Sequence, residues 1–112
     1  MSGQADIVNL DARALGAAIR ARAISCVEAM NAYLDRIDSL NPRVNAIVAL
    51  QDRAALLAQA RERDAQAARG EIMGLLHGFP HAVKDLSPVK GMVTTQGSPI
   101  FRDLDRKSTR LN

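Results

Sequence analysis

Tryptophan is absent from this 112-residue chain, and aromatic residues make up only 3% of it. Much of the 47% apolar content is alanine, and small side chains bury little area each. Such a composition suits a modest helical domain, or a piece of something larger whose remainder would cover its apolar faces. Cys26 stands alone, which argues against a disulfide framework and against a cysteine metal site. No apolar run approaches the roughly 18 residues that a membrane span requires. The opening stretch, MSGQADIVNLD, has neither the basic nor the apolar region of a secretory signal. The expected compartment is therefore a reducing cytoplasm. The length suits one domain and is short for two.

Charge of one sign is also scarce. The formal net charge is +3, but three of the 15 basic residues (Arg106, Lys107, Arg110) fall in Asp105–Asn112, with one acid, Asp105. The rest is nearly balanced, with signs interspersed as on solvated helix faces. It shows no basic stripe with interleaved aromatics, so nucleic acid is not an expected partner.

What the sequence does contain is a run of helix signals. Asp11 is a plausible N-cap for a helix to about Arg22, with Leu15, Ala18 and Ile19 on one side. Ser25-x-x-Glu28 is a capping-box pattern opening a second helix, whose apolar stripe is Val27, Met30, Leu34 and Ile37. Asn41-Pro42 should end it, because proline disfavours helical geometry in the residue before it. Asn45–Leu50 (NAIVAL) is short, apolar and β-branched, and reads as a buried strand. Asp52 then caps a third helix to about Arg69, closed by Gly70. Its apolar face (Leu56, Leu57, Ala60, Ala67) is narrow, as for an outer helix packed on one side.

Beyond Gly70 helical periodicity gives way to glycines and prolines, and Phe79–Lys84 reads as a second strand, with Pro80 near its start. Lys84 and Asp85 would fall at its C-terminal end, where catalytic groups tend to project. A lysine directly after Ala82 and Val83 in a buried strand must either pair its charge or lower its pKa. A lowered pKa would make it a general base or a nucleophile. The residues alone leave open the structural alternative, a salt bridge to Asp85 or a side chain that snorkels to water.

The order of residues around that lysine is more specific. Leu76, His77, Gly78, Phe79, Pro80, Ala82, Lys84 and Asp85, then Gly91, Thr94, Thr95, Gly97 and Ser98, resemble the first catalytic block of the amidase-signature family. The run SCVEAMNAYLDRIDSLNPRVNAIVAL upstream is similar to that family's N-terminal region, so the resemblance covers about residues 10–103. It implies an α/β fold: a mixed central sheet with helices on both faces. This chain, mostly helical with one or two strands, would be its N-terminal portion. The resemblance also implies that Lys84 is the base of a Ser–cis-Ser–Lys triad that hydrolyses carboxylic amides, with no metal and no organic cofactor. The expected partner is a small-molecule amide, with a second copy of the full-length protein as the one assembly kept open and no membrane.

Departures from the pattern carry expectations of their own. The family's two serines lie in a Gly/Ser-rich segment that would follow residue 112, so the polypeptide as written should be inactive. Ser87 and Ser98 belong to a turn and to a loop that shapes the site, and neither replaces them. Phe79 and His81 stand where small aliphatics are common, while His77 reads as a structural histidine and Cys26 as a small buried hydrophobe. The family domain should extend over residues 1–104. DRKSTRLN, residues 105–112, reads as a translation of a sequencing-adapter oligonucleotide (GAT CGG AAG AGC ACA CGT CTG AAC), hence as a non-native tail. Two rival readings remain. One is the glutamine-hydrolysing component of a tRNA-dependent amidotransferase, its A subunit, whose block often has histidine where this chain has Val83. The other is a helical interaction module without chemistry.

Overall fold

A computed structural model describes residues 4–84 of the chain. The chain divides into two units, Met1–Ile47 with Asp52–Pro80, and Val48–Gln51 with His81–Asn112. The described residues of the first unit form four helices: α1 (Gln4–Ile7), α2 (Ala12–Arg20), α3 (Cys26–Val44) and α4 (Arg53–Ala68).

Each of the three longer helices begins where a local cap dictates. Asp11 accepts the N–H of Ala14 at 2.8 Å, and Asp52 that of Ala55 at 3.3 Å. Ser25 Oγ accepts from Glu28 N–H at 2.9 Å while Glu28 Oε1 accepts from Ser25 N–H at 3.2 Å, which completes the expected capping box. These bonds satisfy first-turn donors that have no partner inside the helix. A further cap comes from another helix. Asp64, on α4, accepts from the N–H groups of Cys26 and Val27 at 2.7 and 3.2 Å.

The helix ends differ more from expectation. α2 stops at Arg20, and Arg22 takes a left-handed conformation with φ 60°. Ala23 N–H reaches the carbonyl of Ala18 at 2.9 Å and Arg22 N–H that of Ile19 at 3.0 Å, which is a Schellman closure built without glycine. α3 does not end at Asn41-Pro42 but runs through Pro42 to Val44, where Asn45 at φ 48° closes it. Proline in the last turn forfeits one helical hydrogen bond, and the N–H of Asn45 still finds the Asn41 carbonyl. α4 ends as expected, with Gly70 at φ 78° just beyond it.

The core of this unit joins Ile7, Leu15, Ile19, Ile24, Cys26, Ala29, Ala32 and Ala60. Along α3 Leu34 of the expected stripe is buried, but the other buried positions are the small residues Cys26, Ala29 and Ala32, and Val27, Met30 and Ile37 are only half-buried. The reason is that α3 packs against both α1 and α4, so small side chains let its neighbours approach on two sides. On α4 only Ala60 is buried, in keeping with an outer helix. Arg53, at its start, reaches Asn31, Asp35 and Asp38 of α3 at 3.0, 2.7 and 3.3 Å. The two ion pairs within this fan are solvated and stabilise the unit by about 1 kcal/mol or less each.

The two expected strands are not formed. Residues 45–50 and 79–84 have no regular structure, and the described residues include helices but no strand. A strand's N–H and C=O groups need a neighbouring strand, and here local partners have taken several of them. The Asn41 carboxamide donates to the Ile47 carbonyl and accepts from the Ile47 N–H, both at 2.9 Å. Phe79 N–H donates to Leu76 O at 3.1 Å, and Pro80 has no N–H to give. In the second unit, Val48–Gln51 and the residues from His81 to Lys84 are likewise irregular. No helix among the described residues is long and apolar enough to cross a membrane.

Candidate active site

The lysine segment begins in the first unit as a pair of turns. His77 N–H donates to Gly74 O at 3.2 Å, and Phe79 N–H to Leu76 O at 3.1 Å. The second turn places Gly78 at its third position with φ 79°, a conformation that favours glycine. A second constraint acts on the same residue. A Cβ at Gly78 would run into the Cys26 side chain, so backbone and thiol are packed face to face. The motif glycine thus answers both to a turn and to a close approach.

His77 is buried, at 7% exposure, and both ring nitrogens are engaged. Met73 N–H donates to Nδ1 at 3.1 Å, and Nε2 lies 2.9 Å from the Arg63 carbonyl. A backbone N–H can only donate and a carbonyl can only accept. Nδ1 is therefore the acceptor of the pair and Nε2 the donor. This is the structural histidine the sequence suggested. Phe79 packs on the core, and its ring is close enough that a Cβ at Gly16 would stand 3.5 Å away.

Cys26 is fully buried and has no disulfide. Burial pushes its thiol up to about 12, and a hydrogen bond to Asp64 and the charge of that carboxylate act in the same direction. A thiol so held is a small hydrophobe, not a nucleophile. At the surface, the Arg69 guanidinium holds the Glu71 carboxyl below its usual range through a 2.9 Å ion pair.

Lys84 lies in the second unit, exposed and outside regular structure. The expected buried strand end is not formed, because no neighbouring strand among the described residues provides the ladder that would enclose it. His81 and Ala82 are exposed as well, and Val83 is half-buried. Asp85, Ser87, Gly91, Thr94, Thr95, Gly97 and Ser98 lie outside the described residues, as does the stretch 105–112. Within the described residues no three His, Cys, Asp or Glu side chains are grouped to hold a metal ion. The pairing of Asp64 with Cys26, and of Cys26 with Gly78, was not foreseeable from the sequence. Those contacts join distant parts of the chain, and no local pattern signals them.

Comparison with known proteins resolves the class. A family model described as Amidase matches residues 28–108, and the chain belongs to that amidase-signature family. It is 44% identical over 87 residues to an indoleacetamide hydrolase of Bradyrhizobium diazoefficiens, a match covering 78% of this chain and 16% of that protein. It is 43% identical over 96 residues to the A subunit of the glutamyl-tRNA(Gln) amidotransferase of Acidothermus cellulolyticus, which covers 86% of this chain and 19% of that one. The corresponding protein of Cutibacterium acnes is 44% identical over the same shares. The chain thus spans about a sixth to a fifth of the length of these relatives.

Proposed function

We propose that this polypeptide is the lysine-bearing N-terminal portion of a cytoplasmic amidase that hydrolyses a linear carboxylic amide to acid and ammonia or amine. The observation that carries the reading is the block Leu76–Asp85, with Lys84 in the family's lysine position, inside the interval matched by the amidase model. In this reading the neutral Lys84 amine takes a proton from a bridging serine, which takes one in turn from a second, nucleophilic serine. That serine attacks the amide carbonyl, the C–N bond breaks, and water releases the acid from the acyl-enzyme. Backbone N–H groups would hold the oxyanion. Both serines would be supplied by a Gly/Ser-rich segment downstream of the lysine block. Leu75 and Leu76, exposed at 79% and 66% just ahead of the lysine, support a longer polypeptide that covers them.

The second reading is the glutamine-hydrolysing component of a tRNA-dependent amidotransferase, working with partner subunits, and it is favoured by the relatives of that name. Val83 before the lysine, where that component often has histidine, favours the stand-alone amidase. The test is the complete reading frame, expressed and assayed on indole-3-acetamide and on glutamine, with and without amidotransferase partners. Turnover without partners and its loss in Lys84→Ala at unchanged circular dichroism are expected. A frame lacking the serine pair, or an active Lys84→Ala variant, would remove the triad assignment. The 112-residue chain alone should show no turnover.

A further inference from the structure

The single cysteine of the chain, Cys26, lies beneath the turn that carries His77. Gly78 is packed against its sulfur, and His77, one residue earlier, fastens the turn at two points. Nε2 donates to the Arg63 carbonyl on α4 at 2.9 Å, and Nδ1 accepts from Met73 N–H at 3.1 Å. The second bond has a chemical condition. It needs the lone pair on Nδ1, which is the place where such a ring takes up a proton. A protonated ring would set Nδ1–H against the N–H of Met73, donor to donor. It would also put a cation in a buried site where both bonding partners are backbone groups. The charged groups of the packed elements have other commitments. Along α4, Arg63 donates to Gln66 Oε1, Asp64 accepts from the N–H groups of Cys26 and Val27, and Glu62 acts on Arg69. Glu71, ahead of the turn, is paired with Arg69, and Glu28 on α3 with the Ser25 N–H. From α2 the group near Phe79 is a cation, Arg20, beside Gly16.

We propose that the turn at residues 73–79 is an acid-released cover over the Cys26 thiol, with His77 as its latch. With a bare Nδ1 the turn is shut and the thiol buried. A proton on Nδ1 breaks the bond to Met73, the ring leaves its site for water, and Gly78 lifts from the sulfur. Met73 is mostly exposed, so its N–H finds water as the turn loosens. The open turn holds one proton more than the shut one, so the ratio of open to shut grows by up to about tenfold per pH unit of acid. The inference concerns the first unit alone and stands apart from the reading of Lys84.

The test treats the 112-residue chain with 4,4′-dithiodipyridine, which exchanges with thiols in mild acid as well as at neutral pH and releases thiopyridone. With one cysteine in the chain, the released thiopyridone reports Cys26 alone. His77→Gln is the comparison, because its amide keeps an oxygen acceptor and an N–H donor and has no proton to gain. Dividing the wild-type rate by the variant's removes the pH dependence of the thiol and of the reagent. That ratio is expected to rise about tenfold or more from about pH 8 to about pH 5. In the wild type alone, imidazole 15N shifts should show the ring gaining its proton over the interval in which labelling accelerates relative to a small free thiol. A flat ratio overturns the proposal, as does ring protonation that leaves the relative labelling rate unchanged. Rapid labelling of the wild type at about pH 8 also overturns it, since the turn would then cover nothing. If circular dichroism shows His77→Gln to be unfolded, the wild-type comparison of 15N shifts with labelling decides by itself.

Discussion

The carboxylate of Asp64 accepts the backbone N–H of Cys26 at 2.7 Å, across 38 positions of the chain. It caps a helix that already has a complete capping box of its own. The local box serves the N–H groups of Ser25 and Glu28, and Asp64 serves those of Cys26 and Val27, so the two devices divide the orphan donors at the α3 start between them. The distant cap also ties α4 to α3 at the point where Cys26 meets Gly78.

Asp64→Ala should therefore cost more than Ser25→Ala. Losing a local N-cap costs about 1 kcal/mol. Removing Asp64 strands the N–H of a fully buried residue, for which about 1–3 kcal/mol is expected. Urea denaturation of the two variants in parallel measures the difference. A smaller loss for Asp64→Ala than for Ser25→Ala would show that water replaces the carboxylate freely.

Gly78→Ala should be among the most disruptive single changes in the first unit. The left-handed φ costs an alanine about 1–2 kcal/mol, and the collision with Cys26 adds an overpacking cost of about 1–3 kcal/mol. These parts separate in a double-mutant cycle. Cys26→Ala removes the sulfur but not the Cβ, so Gly78→Ala should cost less in that background, and the difference reports the Sγ contact. Additivity within about 0.5 kcal/mol would mean that the two sites do not touch.

Helix starts were legible in the sequence because a cap and its partner lie three residues apart. Asp11, Ser25 with Glu28, and Asp52 all perform as the pattern predicts. Helix ends were less so, because Arg22 and Asn45 adopt left-handed conformations for which glycine is the usual signal. The strands at 45–50 and 79–84 were misread for a different reason. Apolar, β-branched runs report a wish to be buried, but a strand exists only beside another, and Asn41 holds the groups of Ile47 instead. At the candidate site the family was legible in an order of residues, and a model of that family matches residues 28–108. The contacts of His77 with Arg63 and of Gly78 with Cys26 link distant segments and leave no local trace.

Arg22 offers a stabilising change. It occupies the left-handed position of the Schellman closure after α2, where a Cβ is unfavourable. Arg22→Gly removes that strain, although glycine also gains freedom in the unfolded chain, and the net expectation is a gain of about 0.5–1 kcal/mol. A higher midpoint of urea unfolding at unchanged slope is the signature. A lower midpoint would mean that the arginine side chain contributes more than its backbone costs.

The buried thiol sets a pH dependence at the alkaline end. Cys26 titrates near 9.0 when free and only near 12 in the folded chain, because burial and then Asp64 disfavour its thiolate. The folded pKa is the higher one, so the unfolded chain loses this proton first as the pH rises. The contribution to stability is complete below about 9 and is lost progressively toward about 12. Other groups titrate in that window, so the comparison is with Cys26→Ala: the wild-type stability should fall more steeply with pH than that of the variant. A thiol reagent at about pH 8 should leave the native chain unmodified and label it fully once denatured. Parallel pH profiles for the two proteins, together with rapid native labelling, would show that Cys26 is solvated and that its contact with Gly78 opens readily.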